Sequence, residues 1–193
     1  IFTQIITIFI AVETFERTSH TNLYLKQMTK AKNRAFMKLY EKHHKELSHF
    51  CRSLERDPED AKELMSETIS RAYLGFEKLR DKSKFKSFLF GIASNTLKEF
   101  IRKKSRSTNE TKVVSIKVQG TKNAEKHTIN QILAQIPEKQ AEVFMLFEIV
   151  DMSLADISDT LDLNLSTVKT RLSRARQALS VLLQDEFKQH ITN

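Results

Sequence analysis

The sequence has very little glycine, proline or cysteine, and each shortage narrows the range of possible folds. Among 193 residues there are three glycines, two prolines, one cysteine and no tryptophan. β-Sandwiches and barrels need turn residues every few positions, so this composition predicts an all-α fold with short connections. The lone cysteine, Cys51, cannot form a disulfide within the chain. We therefore expect a reducing compartment, the cytoplasm.

Charged residues are abundant but unevenly distributed. The chain has 32 Lys and Arg against 24 Asp and Glu, which gives a formal net charge of +8. An acidic stretch at residues 55–70 is followed by a basic one at 77–106, and residues 138–162 and 163–178 repeat that order. An ordinary solvated surface would mix the two signs more evenly. The net positive charge favours a polyanionic partner, without identifying it.

The first residues of the sequence are predominantly apolar. The run at residues 1–12 is too short to cross a bilayer as a helix, and it lacks the basic start and small-residue cleavage site of a secretory signal. We expect no membrane span and interpret residues 1–27 as an N-terminal extension that is disordered or not native. A membrane anchor is the less favoured alternative.

Helical periodicity dominates the first half of the sequence. Apolar residues recur every three or four positions over residues 36–50, which predicts an amphipathic helix. Asp57 and Pro58 then form a typical helix start, with an N-cap side chain followed by a proline in the first turn. The polar stretch 78–84 precedes a third helix, predicted over residues 85–104.

A polar segment separates this region from the rest of the chain. Residues 105–126 contain Gly120 and alternate apolar with polar side chains only at 113–118. Such a composition predicts a flexible tether. Helical periodicity resumes at residue 129 and continues to about 187. The expected architecture is two small helical domains joined by a flexible linker.

The C-terminal region has the pattern of a helix-turn-helix. Residues 153–161 predict a short capped helix and 162–165 a turn, after which Ser166 and Thr167 are candidate N-cap residues of a long helix. Apolar positions of that helix form one narrow stripe: Val168, Leu172, Ala175, Leu179 and Leu182. An apolar side for docking and a polar, basic opposite side are what a helix in the major groove needs.

Eight polar side chains of the long helix are therefore candidate DNA-binding residues. They are Ser166, Thr167, Lys169, Thr170, Arg171, Ser173, Arg174 and Arg176. A structural helical hairpin with an ordinary solvated face is the alternative. Two positions depart from the usual pattern, which has a small apolar residue at Ser158 and glycine at Asp162. Serine is small, and aspartate tolerates the left-handed conformation better than most residues.

Four strings of residues carry a resemblance to a known family. Residues 133–144 (LAQIPEKQAEVF) and 167–176 (TVKTRLSRAR) resemble the −35-recognising domain of extracytoplasmic-function sigma factors, in the sigma-70 family. Residues 57–61 (DPEDA) and 85–95 (FKSFLFGIASN) resemble the first domain of that family. The order of the two domains and the tether between them also agree.

The resemblance implies a division of the chain and a function for each part. After the extension, residues 28–106 would be sigma region 2, residues 107–127 the linker and residues 128–187 sigma region 4 with its helix-turn-helix. The implied function is to bind core RNA polymerase, recognise the −35 and −10 promoter elements and promote strand opening. Implied partners are the clamp of the largest polymerase subunit, promoter DNA and an anti-sigma factor.

The resemblance also assigns roles to residues of region 2. The implied polymerase-binding residues are Asp60, Glu63, Ser66 and Glu67, although the family commonly has Asp and Gln where Glu63 and Ser66 stand. The implied −10 residues are Lys82, Lys84, Phe85, Lys86, Phe88, Asn95, Arg102, Lys103 and Lys104. Bases beside aromatic rings suit an exposed single strand. Ordinary surface acids and core phenylalanines are the competing interpretation.

No pattern in the sequence indicates catalysis, a cofactor or a metal. It has no glycine-rich phosphate loop, paired CxxC or HExxH, and His43 and Cys51 are too far apart on one helix for easy joint coordination. We therefore expect that the protein is not an enzyme. The main alternative function is a helix-turn-helix transcriptional regulator that acts without polymerase binding. A nuclease and a membrane-attached regulator are weaker alternatives.

Overall fold

The protein is helical throughout the part that the structure describes. The computed structural model describes the backbone of residues 20–55, 57–108, 133 and 135–191, and it contains no strand in these ranges. We number the α-helices in chain order: α1 His20–Leu54, α2 Pro58–Gly75, α3 Phe85–Thr108, α4 Glu138–Phe144, α5 Leu154–Leu161 and α6 Leu165–Ile191. The all-α prediction is confirmed. No helix in the described ranges is both long and apolar enough to cross a bilayer.

The described residues up to 42 belong to one compact unit, and those from 43 onward form a second. The predicted apolar stripe of α1 is buried at Phe36, Tyr40, Leu47 and Phe50. We call α2, α3 and the part of α1 from His43 the N-terminal module. The C-terminal module comprises α4 to α6.

The start of α2 follows the sequence prediction. Asp57 is the N-cap, and its carboxylate accepts the N–H groups of Glu59 at 2.8 Å and Asp60 at 3.1 Å. These backbone hydrogen bonds, that of Asp60 foremost, lower the pKa of Asp57. Pro58 lies in the first turn, where it has no N–H to satisfy.

The core of the N-terminal module forms where α2 and α1 pack against α3. α3 buries Phe85, Leu89, Phe90, Ala93 and Leu97. The Phe90 ring meets Phe50 of α1 edge to face, with 5.6 Å between centroids. Each fully buried Leu or Phe contributes about 1.5–3 kcal/mol to the free energy of folding. The side chains on the remaining surface of α3 are therefore free to serve other contacts.

α3 runs further than its sequence pattern predicts. It extends to Thr108, where a polar tether was expected from Ser105. The rest of the predicted linker, residues 109–127, lies outside the described residues, as do residues 1–19 of the predicted extension at 1–27. Residues 20–27 of that extension belong to α1, so this part of it is helical and not disordered as expected.

The helix-turn-helix forms at the predicted place. Asp162 ends α5 in the left-handed conformation, with φ 53° and ψ 53°, and its N–H donates to the carbonyl of Ser158. The Ser158 hydroxyl donates to the Leu163 carbonyl, so a serine at this position satisfies a carbonyl group of the turn. α6 begins one residue earlier than predicted, at Leu165, because the Asn164 carbonyl accepts the Val168 N–H at 3.1 Å. Ser166 therefore lies in the first turn of α6.

We expect Asp162→Gly to raise the free energy of unfolding by about 0.5–1 kcal/mol. The left-handed conformation costs an L-residue roughly 1–2 kcal/mol, and the greater freedom of glycine in the unfolded chain offsets part of the gain. Urea unfolding at constant m-value measures the change. Asp159→Gly, inside α5, is the matched control and should lower stability. Equal effects of the two substitutions would contradict the assigned turn.

Candidate nucleic-acid interface

The long helix α6 separates an apolar side from a polar one. Val168, Leu172, Ala175 and Leu179 are buried, as the sequence stripe predicts. Most of the candidate DNA-binding side chains are exposed: Ser166, Lys169, Thr170, Ser173, Arg174 and Arg176. The Thr170 hydroxyl donates to the Ser166 carbonyl at 2.8 Å, which leaves its oxygen as an acceptor. The helix thus offers short hydrogen-bonding groups and bases on one surface.

Three of the candidate side chains of α6 have neighbours that the sequence did not reveal. Arg176 donates through Nε and Nη2 to Glu148 Oε1, at 3.0 and 2.6 Å, and its guanidinium lies 5.3 Å from the centroid of the Phe147 ring. Arg171 and Thr167 are half-buried, and the charge of Arg171 acts on buried Glu142. The most accessible bases on this surface are therefore Lys169 and Arg174.

The loop between α2 and α3 folds around Lys82. The ammonium donates to the carbonyls of Phe76 and Leu79 at 2.6 and 2.7 Å and lies 3.7 Å from the centroid of the Phe76 ring. Lys82 therefore holds the loop together, whereas the sequence assigned it to DNA. Lys84 is exposed two residues further on. It remains the better placed base of this loop.

The phenylalanines of α3 do not form an open stacking platform. Phe85 is 1% exposed and packs edge to face on Phe76, with 5.9 Å between ring centroids, so its ring belongs to the core. Phe88 is half-buried, and its Cζ would lie 3.2 Å from a Cβ at Gly75. A glycine at position 75 therefore makes room for the Phe88 ring. In this conformation both rings are packed into the protein, in agreement with the alternative that these phenylalanines are core residues.

Lys104, assigned to DNA from the sequence, lies between two carboxylates. Its Nζ is 2.7 Å from Glu55 Oε1 and 2.6 Å from Asp60 Oδ2. Burial lowers the pKa of Lys104, but the hydrogen bonds that its ammonium donates to Asp60 and Glu55 outweigh burial, so that the pKa is raised overall. The neighbouring bases Arg102 and Lys103 are exposed. Asn95, about two turns earlier on α3, is exposed as well.

The acidic candidates on α2 also differ from one another. Glu63 and Ser66 are exposed. Glu67 accepts a hydrogen bond from Arg71 at 2.7 Å, and Arg71 in turn donates to Glu99 of α3 at 2.8 Å. This hydrogen bond is the main reason why the pKa of Glu99 is lowered. Asp60 and Glu67 thus link α2 to α3, while Glu63 points to solvent without such a link.

Sequence reasoning missed the contacts between the two modules. Lys86 Nζ donates to the Asp151 carbonyl at 3.0 Å, across 65 residues of chain. Ser94 of α3 and Glu142 of α4 are both buried, at 1% and 4% exposure. A glutamate two positions before Phe144 in an amphipathic helix carries no signal of burial against another module, so the sequence could not have revealed it.

The described residues offer no sign of a metal centre. Nowhere in these ranges do three or more His, Cys, Asp or Glu side chains come close enough to hold an ion. Cys51 is buried, and burial raises the pKa of its thiol to about 12. It is therefore a packing residue and not a reactive thiolate.

Two family models match the chain, in the expected order. Residues 39–107 match sigma-70 region 2, and residues 126–179 match sigma-70 region 4. The chain is 26% identical to the ECF RNA polymerase sigma factor SigW of Bacillus subtilis over 182 residues, 83% of this chain and 95% of SigW. It is also 26% identical to SigM of the same organism, over 75% of this chain and 92% of SigM.

Solved structures show the same fold. One is the sigma factor RpoE in complex with the anti-sigma factor NepR from Bartonella quintana, with a TM-score of 0.64, 22% identity and coverage of 77% of this chain and 98% of that one. Another is CnrH in complex with the cytosolic domain of CnrY, with a TM-score of 0.60, 23% identity and coverage of 79% and 90%. With regions 2 and 4 both matched, the chain belongs to the extracytoplasmic-function sigma factors of the sigma-70 family.

Proposed function

We propose that the protein directs core RNA polymerase to its promoters by reading the −35 element with α6 and the −10 element with α3. The observation that carries the proposal is the arrangement of α6. Its apolar stripe packs against the rest of the C-terminal module, and its basic side chains face outward. The matches to regions 2 and 4 supply the remaining support. Such a protein selects the promoter and helps to separate its strands, while polymerase catalyses RNA synthesis. We therefore infer that the protein is not itself an enzyme.

We propose the domain division expected from the sequence. Residues 28–106 form region 2, residues 107–127 the linker and residues 128–187 region 4, after an N-terminal extension at residues 1–27. The ranges of the two family matches, 39–107 and 126–179, support this division. We expect the protein to act in the cytoplasm, where its polymerase is found. An anti-sigma factor is a further proposed partner, since the related structure of RpoE contains one.

In the proposed −35 complex, α6 lies in the major groove. Lys169 and Arg174 are its most accessible bases, and Ser166, Thr170 and Ser173 are short enough to meet base edges. Arg176 is held against Glu148, so a phosphate contact from it would have to compete with this ion pair. We expect Thr167 and Arg171 to be peripheral because they are half-buried.

In the proposed −10 complex, Asn95, Arg102 and Lys103 of α3 and Lys84 of the preceding loop face the DNA. All four are exposed. The bases follow the phosphates, and an unstacked base is captured nearby, which offsets a few kcal/mol of unstacking. The other five candidates are held by the contacts described above, and those contacts would have to rearrange before they could bind DNA. They are Lys82, Phe85, Lys86, Phe88 and Lys104.

The proposed polymerase surface is the exposed side of α2. Glu63 and Ser66 face solvent there, with Glu67 beside them. Acids at the edge of such an interface orient the partner and speed its association more than they add affinity. A basic surface on the clamp is the complementary partner.

We expect Lys169→Ala with Arg174→Ala to weaken −35-dependent promoter binding of the holoenzyme by at least about 30-fold. Losing one base or phosphate contact typically costs about 1–3 kcal/mol. Binding of labelled promoter DNA and run-off transcription measure the loss, while affinity for core polymerase should not change. Lys139→Ala, an exposed base on α4 of the same module, is the control. A loss of affinity for core polymerase would contradict the assignment of α6 to DNA and of α2 to polymerase.

We expect Glu63→Lys to reduce the rate of association with core polymerase by several-fold at low salt and by less at high salt. Reversing a charge at the interface edge chiefly alters electrostatic steering. Stopped-flow or surface-based kinetics with core enzyme measure the rate. Glu41→Lys makes the same charge change on α1, also at an exposed site, and should leave the rate unchanged. A regulator that acts without polymerase would show no association in any variant.

A further inference from the structure

Arg176 of α6 is held by two residues that no sequence pattern singled out. Its Nε and Nη2 both donate to Glu148 Oε1, at 3.0 and 2.6 Å, and its guanidinium lies 5.3 Å from the centroid of the Phe147 ring. A cation at this distance from the face of an aromatic ring is attracted to it. The arginine is therefore oriented by two neighbours before any ligand arrives.

Glu148 and Phe147 belong to a short π-helical turn that follows α4. The turn spans Met145–Ile149 and closes with a hydrogen bond of 3.0 Å from the Val150 N–H to the Met145 carbonyl. Met145 is buried, so the core fixes the turn, while Phe147 is half-buried and Glu148 is exposed. Turns of this kind are rare and occur frequently at functional sites.

The ion pair between Arg176 and Glu148 lies at the surface, where it adds little to stability. The Arg176 side chain is 53% exposed and that of Glu148 is 35% exposed. Ion pairs in such positions contribute little to the free energy of folding, because water screens the charges and two long side chains lose freedom. Stability therefore does not account for this arrangement, and replacing either residue should not unfold the chain.

Arg176 lies beyond the part of α6 that can meet base edges. It comes three turns after Leu165, the first residue of α6, which is roughly 16 Å along the axis at about 1.5 Å per residue. The major groove is only about 12 Å wide, and recognition helices meet the bases with their N-terminal residues. When the first turns of α6 lie in the groove, Arg176 therefore reaches the phosphate backbone at its edge.

We propose that Glu148 and Phe147 are positioning residues, which hold Arg176 ready to bind one backbone phosphate of the −35 duplex. The proposal rests on the proposed assignment of α6 to that duplex. A guanidinium has five N–H donors in a planar fork. Glu148 takes the edge formed by Nε and Nη2, which leaves both N–H groups of Nη1 and one of Nη2. Arginine often binds a phosphate through two parallel N–H groups, and this second edge supplies them.

Glu148 orients Arg176 but also repels a phosphate, and the balance of the two effects decides its role. The ion pair competes with a phosphate only for the edge that Glu148 occupies. At the other edge, carboxylate and phosphate lie on opposite sides of an exposed guanidinium, where physiological salt screens charges over about 8 Å. A free arginine, in contrast, loses much rotamer freedom when it binds. Because Glu148 and Phe147 order the side chain beforehand, they increase the affinity for the duplex.

Four variants of the whole chain, each assayed as holoenzyme with core polymerase, test the proposal. Binding of labelled promoter duplex is measured over a range of salt concentrations, because each lost phosphate contact makes the salt dependence less steep by about one unit of slope. Glu148→Ala removes the acceptor for Arg176, whereas Glu148→Gln keeps an oxygen that accepts the same hydrogen bonds. Arg176→Ala removes the cation. Asp159→Ala, at an exposed site on α5, is the control for the loss of one negative charge.

We expect Arg176→Ala to weaken duplex binding by about tenfold and to reduce the salt slope by about one. Glu148→Ala should weaken binding by about three- to fivefold, since ordering one side chain accounts for only part of its contact. It should cause no further loss in the Arg176→Ala background. Glu148→Gln and Asp159→Ala should bind at least as tightly as the wild type, because each keeps the hold on Arg176 and loses a negative charge.

Two results would overturn the proposal. If Glu148→Ala binds as tightly as the wild type or more tightly, Glu148 only shields Arg176. If Glu148→Ala causes the same loss in the Arg176→Ala background, Glu148 acts through the fold and not through Arg176. A wild-type holoenzyme that binds no promoter duplex would instead overturn the proposed function.

A second measurement needs neither DNA nor polymerase. In the free chain labelled with 15N, the Nε–H of Arg176 should be protected from hydrogen exchange in the wild type and in Glu148→Gln, and should lose this protection in Glu148→Ala. Phe147→Leu keeps the apolar bulk but removes the ring face, so we expect intermediate protection. Equal exchange in all four chains would show that the side chain is not held, and would overturn the proposal.

Discussion

α3 packs one side into the core of the N-terminal module. Phe85, Leu89, Phe90, Ala93 and Leu97 anchor the helix in the N-terminal module, and this anchorage fixes which side chains remain at the surface. The remaining surface has two neighbours, the C-terminal module and, by proposal, the promoter strand.

Much of the fold could be predicted from the sequence because local chemistry determines it. The cap formed by Asp57 and Pro58, the stripe from Val168 to Leu179 and the turn at Asp162 all depend on residues within a few positions of one another. Ser158, which departs from the usual pattern, proves to hydrogen-bond within the turn itself. The end of α3 was misjudged because its last turn is polar and carries no apolar periodicity.

The candidate site was less predictable, since long side chains choose their partners in three dimensions. Lys82 and Lys104 look alike in the sequence, as members of a basic region. In the structure, one holds carbonyls of its own loop and the other holds carboxylates from Glu55 and Asp60. Periodicity predicts which face of a helix is polar, but it does not reveal which charge on that face is already neutralised.

The position of Lys104 has a consequence for how ligands act on one another. The resemblance assigns Asp60 to polymerase and Lys104 to DNA, and in the structure each neutralises the other at 2.6 Å. A cation that takes Asp60 loosens Lys104, and a phosphate that takes Lys104 exposes Asp60. Thermodynamic linkage requires that each ligand then raises the affinity of the other by the same factor. A single ion pair would in this way make the enzyme and the nucleic acid cooperative ligands of one small helical protein.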